Sequence, residues 1–353
     1  MAGGPHAATI ACITCALDGR VVAAERTYEG MEDDAYRCLF GHTPHVDWSR
    51  RCPTEPTWPP SADQCEAIAK MGRAARGMVE APSDAAKRLV ALPTGPAAYV
   101  EDGPADAPAV VCVHGLPGSS RDFRWLAPQL ADPRLDGPLR VIRLELPGFG
   151  ATPTDTWPDP SPDGRAAFVV AAVRALGLDR PVLLGHSMGG VVGCAAVRAA
   201  PGLFAGIGLL ASPGLRRHAP WRRLAPRTLH FAVTTPVLGS LMMPLVRRGF
   251  VASGFRGFDD ADLRRTIACV AATDIAAHAA NVRALALPTL VAACADDPLI
   301  ETAILDELAA ACPDGPRLRY RRGGHNLQKS HAIGLGEAIR PWVVALRGDA
   351  GPL

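Results

Sequence analysis

An α/β fold with a mostly parallel sheet flanked by helices is predicted by three features of this 353-residue chain. From Leu89 onward, short apolar or β-branched runs alternate with longer helical patterns. A buried run, a sharp turn and a helix surround Ser187. The alternation lapses between 212 and 287, where a helical cap inserted over the sheet is expected. Strand then helix, repeated, gives parallel strands covered on both faces. The composition suits such a core: 48% of residues are hydrophobic and 20% charged, and 37 Lys plus Arg against 35 Asp plus Glu leave a net charge of +2. That profile excludes a disordered chain, which lacks the apolar surface to offset ordering entropy. It also argues against a nucleic-acid partner, since affinity for phosphate draws on uncompensated Lys and Arg.

The chain begins with a cysteine-dense region, expected to be a small module over residues 1–55. Cys12 and Cys15 form a pair at knuckle spacing, and Cys38 with His42 supplies a second pair one residue wider. Gly19 to Glu29 and Ala35 to Leu39 read as β-type sequence that would bring the two pairs together. Four ligands from two loops suit a tetrahedral structural zinc, which would help a module too small to build its own core. His45 or Cys52 are alternatives to His42, and buried reduced thiols or redox chemistry are the alternatives to a metal. The module resembles a zinc ribbon. Met1 to Thr9 lack the positive residues of a secretory start, so a cytoplasmic location with reduced cysteines is expected.

A proline-rich run from Cys52 to Pro60 reads as an extended connector, because proline fixes φ and removes backbone donors. It opens a linker and an alanine-rich helix, Asp63 to Glu80, within residues 56–87. The sheet domain is expected at 88–347. Its strands are predicted at Val110 to His114, Arg140 to Leu144, Pro181 to Gly185, Gly206 to Leu210, Pro288 to Ala292 and Arg317 to Tyr320. Its helices are predicted at Phe123 to Ala131, Arg165 to Leu176, Met188 to Ala200 and Thr302 to Ala311. The uncharged stretch Thr228 to Val246 approaches the length of a bilayer span, but Pro236 and Pro244 are expected to break it, so no transmembrane segment is predicted.

The chemistry concentrates at Gly185-His-Ser-Met-Gly189, a G-x-S-x-G turn between a predicted strand and helix. Such a turn lifts the serine hydroxyl above the sheet, at the positive end of the following helix. A serine hydroxyl is a weak nucleophile and needs a histidine base oriented by an acid. Among the ten histidines, His325 follows a strand and a Gly-Gly pair, placing it where open α/β sheets assemble their sites. His114 and His186 lie inside loop motifs and are read as shaping them. The acid is Asp296 or Asp297 after the strand at Pro288; Asp297 is favoured because it leads directly into the turn before the next helix. Backbone N–H groups of Leu116, in the glycine-rich loop after His114, and of Met188 are the expected oxyanion donors.

These motifs stand in the order found in the α/β-hydrolase family: His-Gly-Leu-Pro-Gly at 114–118, Glu-Leu-Pro-Gly-Phe-Gly at 145–150, Gly-His-Ser-Met-Gly-Gly at 185–190, the Asp297 loop and Gly-Gly-His at 323–325. The segment from Leu89 to Arg347 is similar to that family, with Glu145 standing where relatives usually carry aspartate. The resemblance implies an α/β-hydrolase fold and a Ser187–His325–Asp297 triad, with no cofactor for catalysis. Dehalogenase and epoxide-hydrolase branches use an aspartate nucleophile, so Ser187 points away from them. Epoxide hydrolases also use cap tyrosines, and Tyr28, Tyr36, Tyr99 and Tyr320 all lie outside the expected cap. A small-molecule carboxylic ester, cleaved through an acyl-serine intermediate, is the expected substrate. Carbon–carbon bond hydrolysis, acyl transfer and cofactor-free peroxidation share the motifs, and a non-catalytic adapter is the alternative of another class. Met242 and Met243 are expected to line an acyl pocket with other apolar cap residues, among them Phe231, Leu238, Leu241, Leu245 and Phe250.

Overall fold

The computed structural model describes the backbone of residues 7–11, 23–27 and 36–38, and residues 82–348 except 220, 221, 223, 224, 253, 254 and 256. The chain divides into two units, Met1–Ala81 and Pro82–Leu353. In the first, β1 (Ala7–Ala11), β2 (Ala23–Thr27) and β3 (Tyr36–Cys38) form an antiparallel sheet in that order. The expected zinc ligands Cys12, Cys15 and His42 lie outside the described residues, as do the side chain of Cys38 and the helix expected at Asp63 to Glu80.

In the second unit, β4 (Lys87–Leu92) and β5 (Gly95–Asp102) form an antiparallel hairpin. Six further strands follow: β6 (Ala109–Val113), β7 (Arg140–Leu144), β8 (Val182–His186), β9 (Gly206–Leu210), β10 (Thr289–Cys294) and β11 (Arg317–Tyr320). The sheet order is β11-β10-β9-β8-β6-β7-β5-β4, and every neighbour pair from β11 through β7 is parallel. The predicted strands appear within a residue or two of their expected bounds. The β4–β5 hairpin is not among the predicted strands: its apolar runs Leu89–Leu92 and Ala97–Val100 are joined by the two-residue turn Pro93-Thr94 with no helix between them, so they do not fit the strand–helix alternation.

The helices are α1 (Ala127–Ala131), α2 (Pro162–Ala175), α3 (Met188–Ala199), α4 (Pro226–Thr234), α5 (Pro236–Ala252), α6 (Asp260–Ala271), α7 (Ile275–Arg283), α8 (Thr302–Ala311), α9 (Leu327–Ser330) and α10 (Ala332–Gly348). The helix expected over Phe123 to Ala131 is split into a 3₁₀ turn, Ser120–Phe123, and α1, whose first turn holds Pro128. Proline fits a first turn, where its missing N–H costs nothing, and so starts a new helix.

Side chains of β6 alternate between two cores, as the strand period requires. Val111 and Val113 join Phe168, Val169, Val192 and Ala195 from α2 and α3. Val110 and Cys112 face the other way, onto Leu130 of α1 and Leu335, Ile339 and Val343 of α10. The central strands are therefore buried on both faces, which is why they read as continuous apolar runs.

Between β9 and β10 the insertion expected over 212–287 divides. Helices α4 to α6 form a cap with its own core of Val233, Met243, Leu263 and Ile267. Val282 of α7 and Leu285 instead belong to the core of the sheet domain. Pro236 opens α5 after a bend of 119° from α4, but Pro244 lies inside an unbroken α5, contrary to expectation. Among the described residues no single helix is long and apolar enough to cross a membrane.

Candidate active site

The parallel strands end level: Val113 of β6 pairs with Gly185 of β8, and Cys294 of β10 with Tyr320 of β11. The loops beyond these ends carry Gly115–Leu116, Ser187, Asp297 and His325 to one edge of the sheet, where α/β folds place their sites. Ser187 has φ +52° and ψ −125°, a strained conformation for a residue with a Cβ. Its neighbours make that turn possible. A Cβ at Gly185 would sit 2.5 Å from Gly190 N, and one at Gly189 would collide with the carbonyl oxygen of Val113. Only glycines at both positions let β8 turn into α3 this tightly.

His325 Nδ1–H donates to Asp297 Oδ2 at 2.8 Å, which leaves Nε2 to accept from the Ser187 hydroxyl, also at 2.8 Å. Both His325 and Asp297 are buried. Asp297 Oδ1 in turn accepts from the Leu299 and Ile300 N–H groups at 2.8 and 3.2 Å, fixing the carboxylate plane. Asp296 does not reach the imidazole. Its two oxygens accept from Gly323 N and Gly324 N at 3.1 and 2.8 Å, so it ties the turn that carries His325 to the end of β10. The adjacent acids thus divide into Asp297, which orients the imidazole, and Asp296, which holds its loop.

The loop after β6 lies against the nucleophile, with Gly115 so close that a Cβ there would be 3.0 Å from Ser187 Cβ. Leu116 and Met188 both border the cavity in front of Ser187. Met188 begins α3, so its N–H is unpaired within the helix and the helix dipole favours negative charge there.

Two buried histidines shape these loops. His114 donates Nδ1–H to the Gly115 carbonyl at 2.7 Å and accepts at Nε2 from Leu146 N at 3.0 Å. His186 donates Nε2–H to the His325 carbonyl at 2.9 Å, binding the nucleophile turn to the histidine loop. Burial, aided by the neighbouring His325, lowers the His186 pKa to about 3, so it stays neutral. Glu145 is also structural: its buried carboxylate accepts from Ser120 Oγ and Ala151 N at 2.6 Å each and pairs with Lys87 at 3.0 Å. Burial works to raise its pKa, but these bonds outweigh it and hold the carboxyl below the usual range.

Two pockets meet at Ser187. The larger, about 370 Å³, runs under the cap and is bounded by Leu229, Met242, Leu245, Val246, Phe250, Val270, Leu299 and Ile300, with His218 among them. Met242, Leu245 and Phe250 are thus in the expected pocket, whereas Met243 is not: one helical step turns it inward, where it is 2% exposed in the cap core. Phe231, Leu238 and Leu241 point to the outside of the cap. His218 was passed over in the sequence because nothing local marks it. Burial pulls its pKa down to about 4, against the field of Glu301. The smaller pocket, about 170 Å³, is polar and includes Asp122, His186, Asn326 and Lys329. Lys329 Nζ donates to Asp122 Oδ1 at 2.7 Å. Burial works to raise the Asp122 pKa, but the ammonium overrides it and holds the carboxyl below its ordinary value.

Among the described residues no group of three or more His, Cys, Asp or Glu side chains is placed to hold a metal ion. The described cysteines, Cys112, Cys194, Cys269, Cys294 and Cys312, are buried free thiols.

Residues 110–335 match the family model described as "Alpha/beta hydrolase family". A putative carbamate hydrolase, RutD, of Escherichia coli O127:H6 is 30% identical over 238 residues, covering 63% of this chain and 85% of that protein. The crystal structure of haloalkane dehalogenase DbeA from Bradyrhizobium elkani USDA94 superimposes with a TM-score of 0.59 at 19% identity, covering 75% of this chain and 99% of that one. A thermophilic esterase from Thermogutta terrifontis, with malate bound, gives a TM-score of 0.53 at 22% identity, with coverages of 74% and 99%. At these identities the two structures are similar in fold alone.

Proposed function

Since the chain belongs to the alpha/beta hydrolase family, we propose that it is a serine hydrolase that cleaves a carboxylic ester or related acyl bond through an acyl-serine intermediate. The observation that carries this reading is the unbroken relay from the Ser187 hydroxyl to His325 and on to Asp297, both links 2.8 Å. Ser187 Oγ attacks the substrate carbonyl carbon while its proton passes to His325 Nε2. Asp297 keeps Nδ1 protonated and stabilises the imidazolium that forms. The carbonyl oxygen, now anionic, is received by the Leu116 and Met188 N–H groups, preorganised by their loop and helix. The imidazolium then returns its proton to the leaving oxygen, and water repeats the sequence on the acyl-serine to release the acid.

The two pockets suggest how a substrate lies. The apolar cavity suits a hydrocarbon acyl group, since its boundary is almost wholly aliphatic and aromatic. The polar pocket suits a small leaving group. The name of the RutD relative extends the candidate bonds to carbamates, whose carbonyl is attacked in the same way. An ester, amide and carbamate panel of increasing acyl length tests the proposal, with Ser187→Ala as control. Saturable turnover that favours medium acyl chains over acetyl and vanishes in the control is expected. Turnover that persists in Ser187→Ala would overturn it.

A further inference from the structure

The first half of the cap carries a chemistry at odds with the rest of the chain. Residues 215–258 contain eight arginines and no Asp or Glu, in a protein whose total charge is only +2. Within that segment the stretch between Arg227 and Arg247 is uncharged. The structure lays it on the outside of the molecule: of the large hydrophobic side chains exposed among the described residues, Phe231, Val237, Leu238, Leu241, Leu245 and Val251 all lie on α4 and α5.

On α5, Val237, Leu241 and Leu245 recur every four residues and so share one face. Leu241 is 70% exposed and Leu245 66%. Arg248 falls on the same face one turn from the end of α5. Arg227 and Arg248 are both exposed and, among the described residues, neither has an ion-pair partner. A monomeric protein rarely leaves such a patch bare. What distinguishes this one is its floor: Leu245 belongs at once to the outer patch and to the boundary of the apolar cavity in front of Ser187.

We propose that the α4–α5 face docks on an anionic lipid surface and opens the acyl cavity directly onto it. An interfacial helix combines an exposed apolar face with flanking arginines, whose stems lie along the apolar region while the guanidinium groups meet lipid phosphates. Arg216, Arg222 and Arg247 are paired with Glu307, Glu301 and Asp260 from outside the segment, so the attraction rests on Arg227 and Arg248, and the segment 215–258 itself adds no acid that a bilayer of that sign would repel. A nucleic acid would match the arginines but leave the leucines in water. A protein partner would match the leucines but has no reason to connect with the cavity. The 119° bend between α4 and α5 keeps this apolar pair lying across the surface instead of spanning a bilayer. Delivery of an acyl chain rests on the ester-hydrolase reading, whereas docking itself does not.

Flotation of the full chain with vesicles tests the proposal, using phosphatidylcholine alone and mixed with phosphatidylglycerol. Ser187→Ala protein is included, so that docking is read independently of hydrolysis. Both proteins are expected to float with the mixed vesicles, weakly with phosphatidylcholine, and less at high salt. Val237→Asp with Leu241→Asp, neither residue bordering the cavity, is expected to weaken flotation on the order of tenfold or more. Melting temperature and turnover of a soluble short-chain ester stay unchanged. Arg227→Gln with Arg248→Gln is expected to cost about fivefold per arginine. Absence of flotation with either vesicle at low salt, or equal flotation of the parent and the aspartate variant, would overturn the proposal. So would a vesicle-indifferent parent that is oligomeric and becomes monomeric in the aspartate variant, which would make the face an interface between copies.

Discussion

Moving from pH 7 to pH 5 should destabilise this protein through its buried imidazoles, and His186 isolates the effect. His186 sits between the nucleophile turn and the histidine loop, donating to the His325 carbonyl at 2.9 Å, with its pKa lowered from 6.5 to about 3. At pH 5 the folded chain keeps this ring neutral, while in the unfolded chain most of it is protonated. A folded-state pKa below the unfolded one means that the unfolded state binds the extra proton. The stability involved is therefore complete above the unfolded value of 6.5 and is lost as the pH falls towards about 3. For an unfolded pKa of about 6.5, the loss between pH 7 and pH 5 is roughly 1.9 kcal/mol. It is insensitive to the folded value, since a ring with a pKa one unit higher would still be almost wholly neutral at pH 5. His186→Gln keeps an N–H donor for the His325 carbonyl and removes the titration. Urea unfolding of both proteins at the two pH values should show the parent losing about 2 kcal/mol more than the variant. Equal losses would refute the argument that His186 is held neutral by burial.

Met242→Ser should lower kcat/KM for long acyl chains several-fold relative to short ones, because Met242 borders the cavity. Met243→Ala should leave that preference unchanged and cost about 2–5 kcal/mol of stability in thermal or urea unfolding, as for a buried core side chain; the reverse assignment of effects would contradict the packing. Asp296→Ala, which frees only the Gly323 and Gly324 N–H groups, should slow turnover about tenfold, corresponding to roughly 1.4 kcal/mol of loop positioning. Asp297→Ala should slow it by about 10⁴; similar losses in the two variants would mean that the acids share one role. Elemental analysis of the purified chain should find one zinc per molecule, lost in a Cys12→Ser, Cys15→Ser variant; a zinc-free parent would remove the metal from the N-terminal module.

The central strands were legible because burial on both faces leaves short apolar runs such as Val110–Val113 and Val182–Leu184, and the turn residues that bound them, Pro108 and Gly115 or Pro181 and Gly185, separate them from equally apolar helical stretches such as Phe168–Val173. The nucleophile turn was legible because two glycines flank Ser187 where a Cβ would collide with backbone, at Gly185 against Gly190 and at Gly189 against the Val113 carbonyl. What escaped the sequence depends on long-range partners. The roles of Glu145 and Asp296 follow from donors distant in sequence, Ser120 and the Gly323–Gly324 turn. The opposed fates of Met242 and Met243 follow from one helical step and from what α6 packs against. His218 gains its place from the approach of the segment after β9 to Leu299 and Ile300. The edge hairpin β4–β5 turns directly over Pro93 and Thr94, outside the strand–helix alternation, and its place in the sheet comes from the antiparallel pairing of β5 with the distant β7.

The most direct test of an activated nucleophile is covalent labelling of the full chain with a fluorophosphonate probe, mapped by peptide mass spectrometry. The relay of 2.8 Å bonds from Ser187 to His325 and from His325 to Asp297 predicts a single modified residue, Ser187, with labelling abolished in Ser187→Ala and strongly slowed in His325→Ala. Folded protein that fails to label at Ser187, or labels equally fast without His325, would contradict the account.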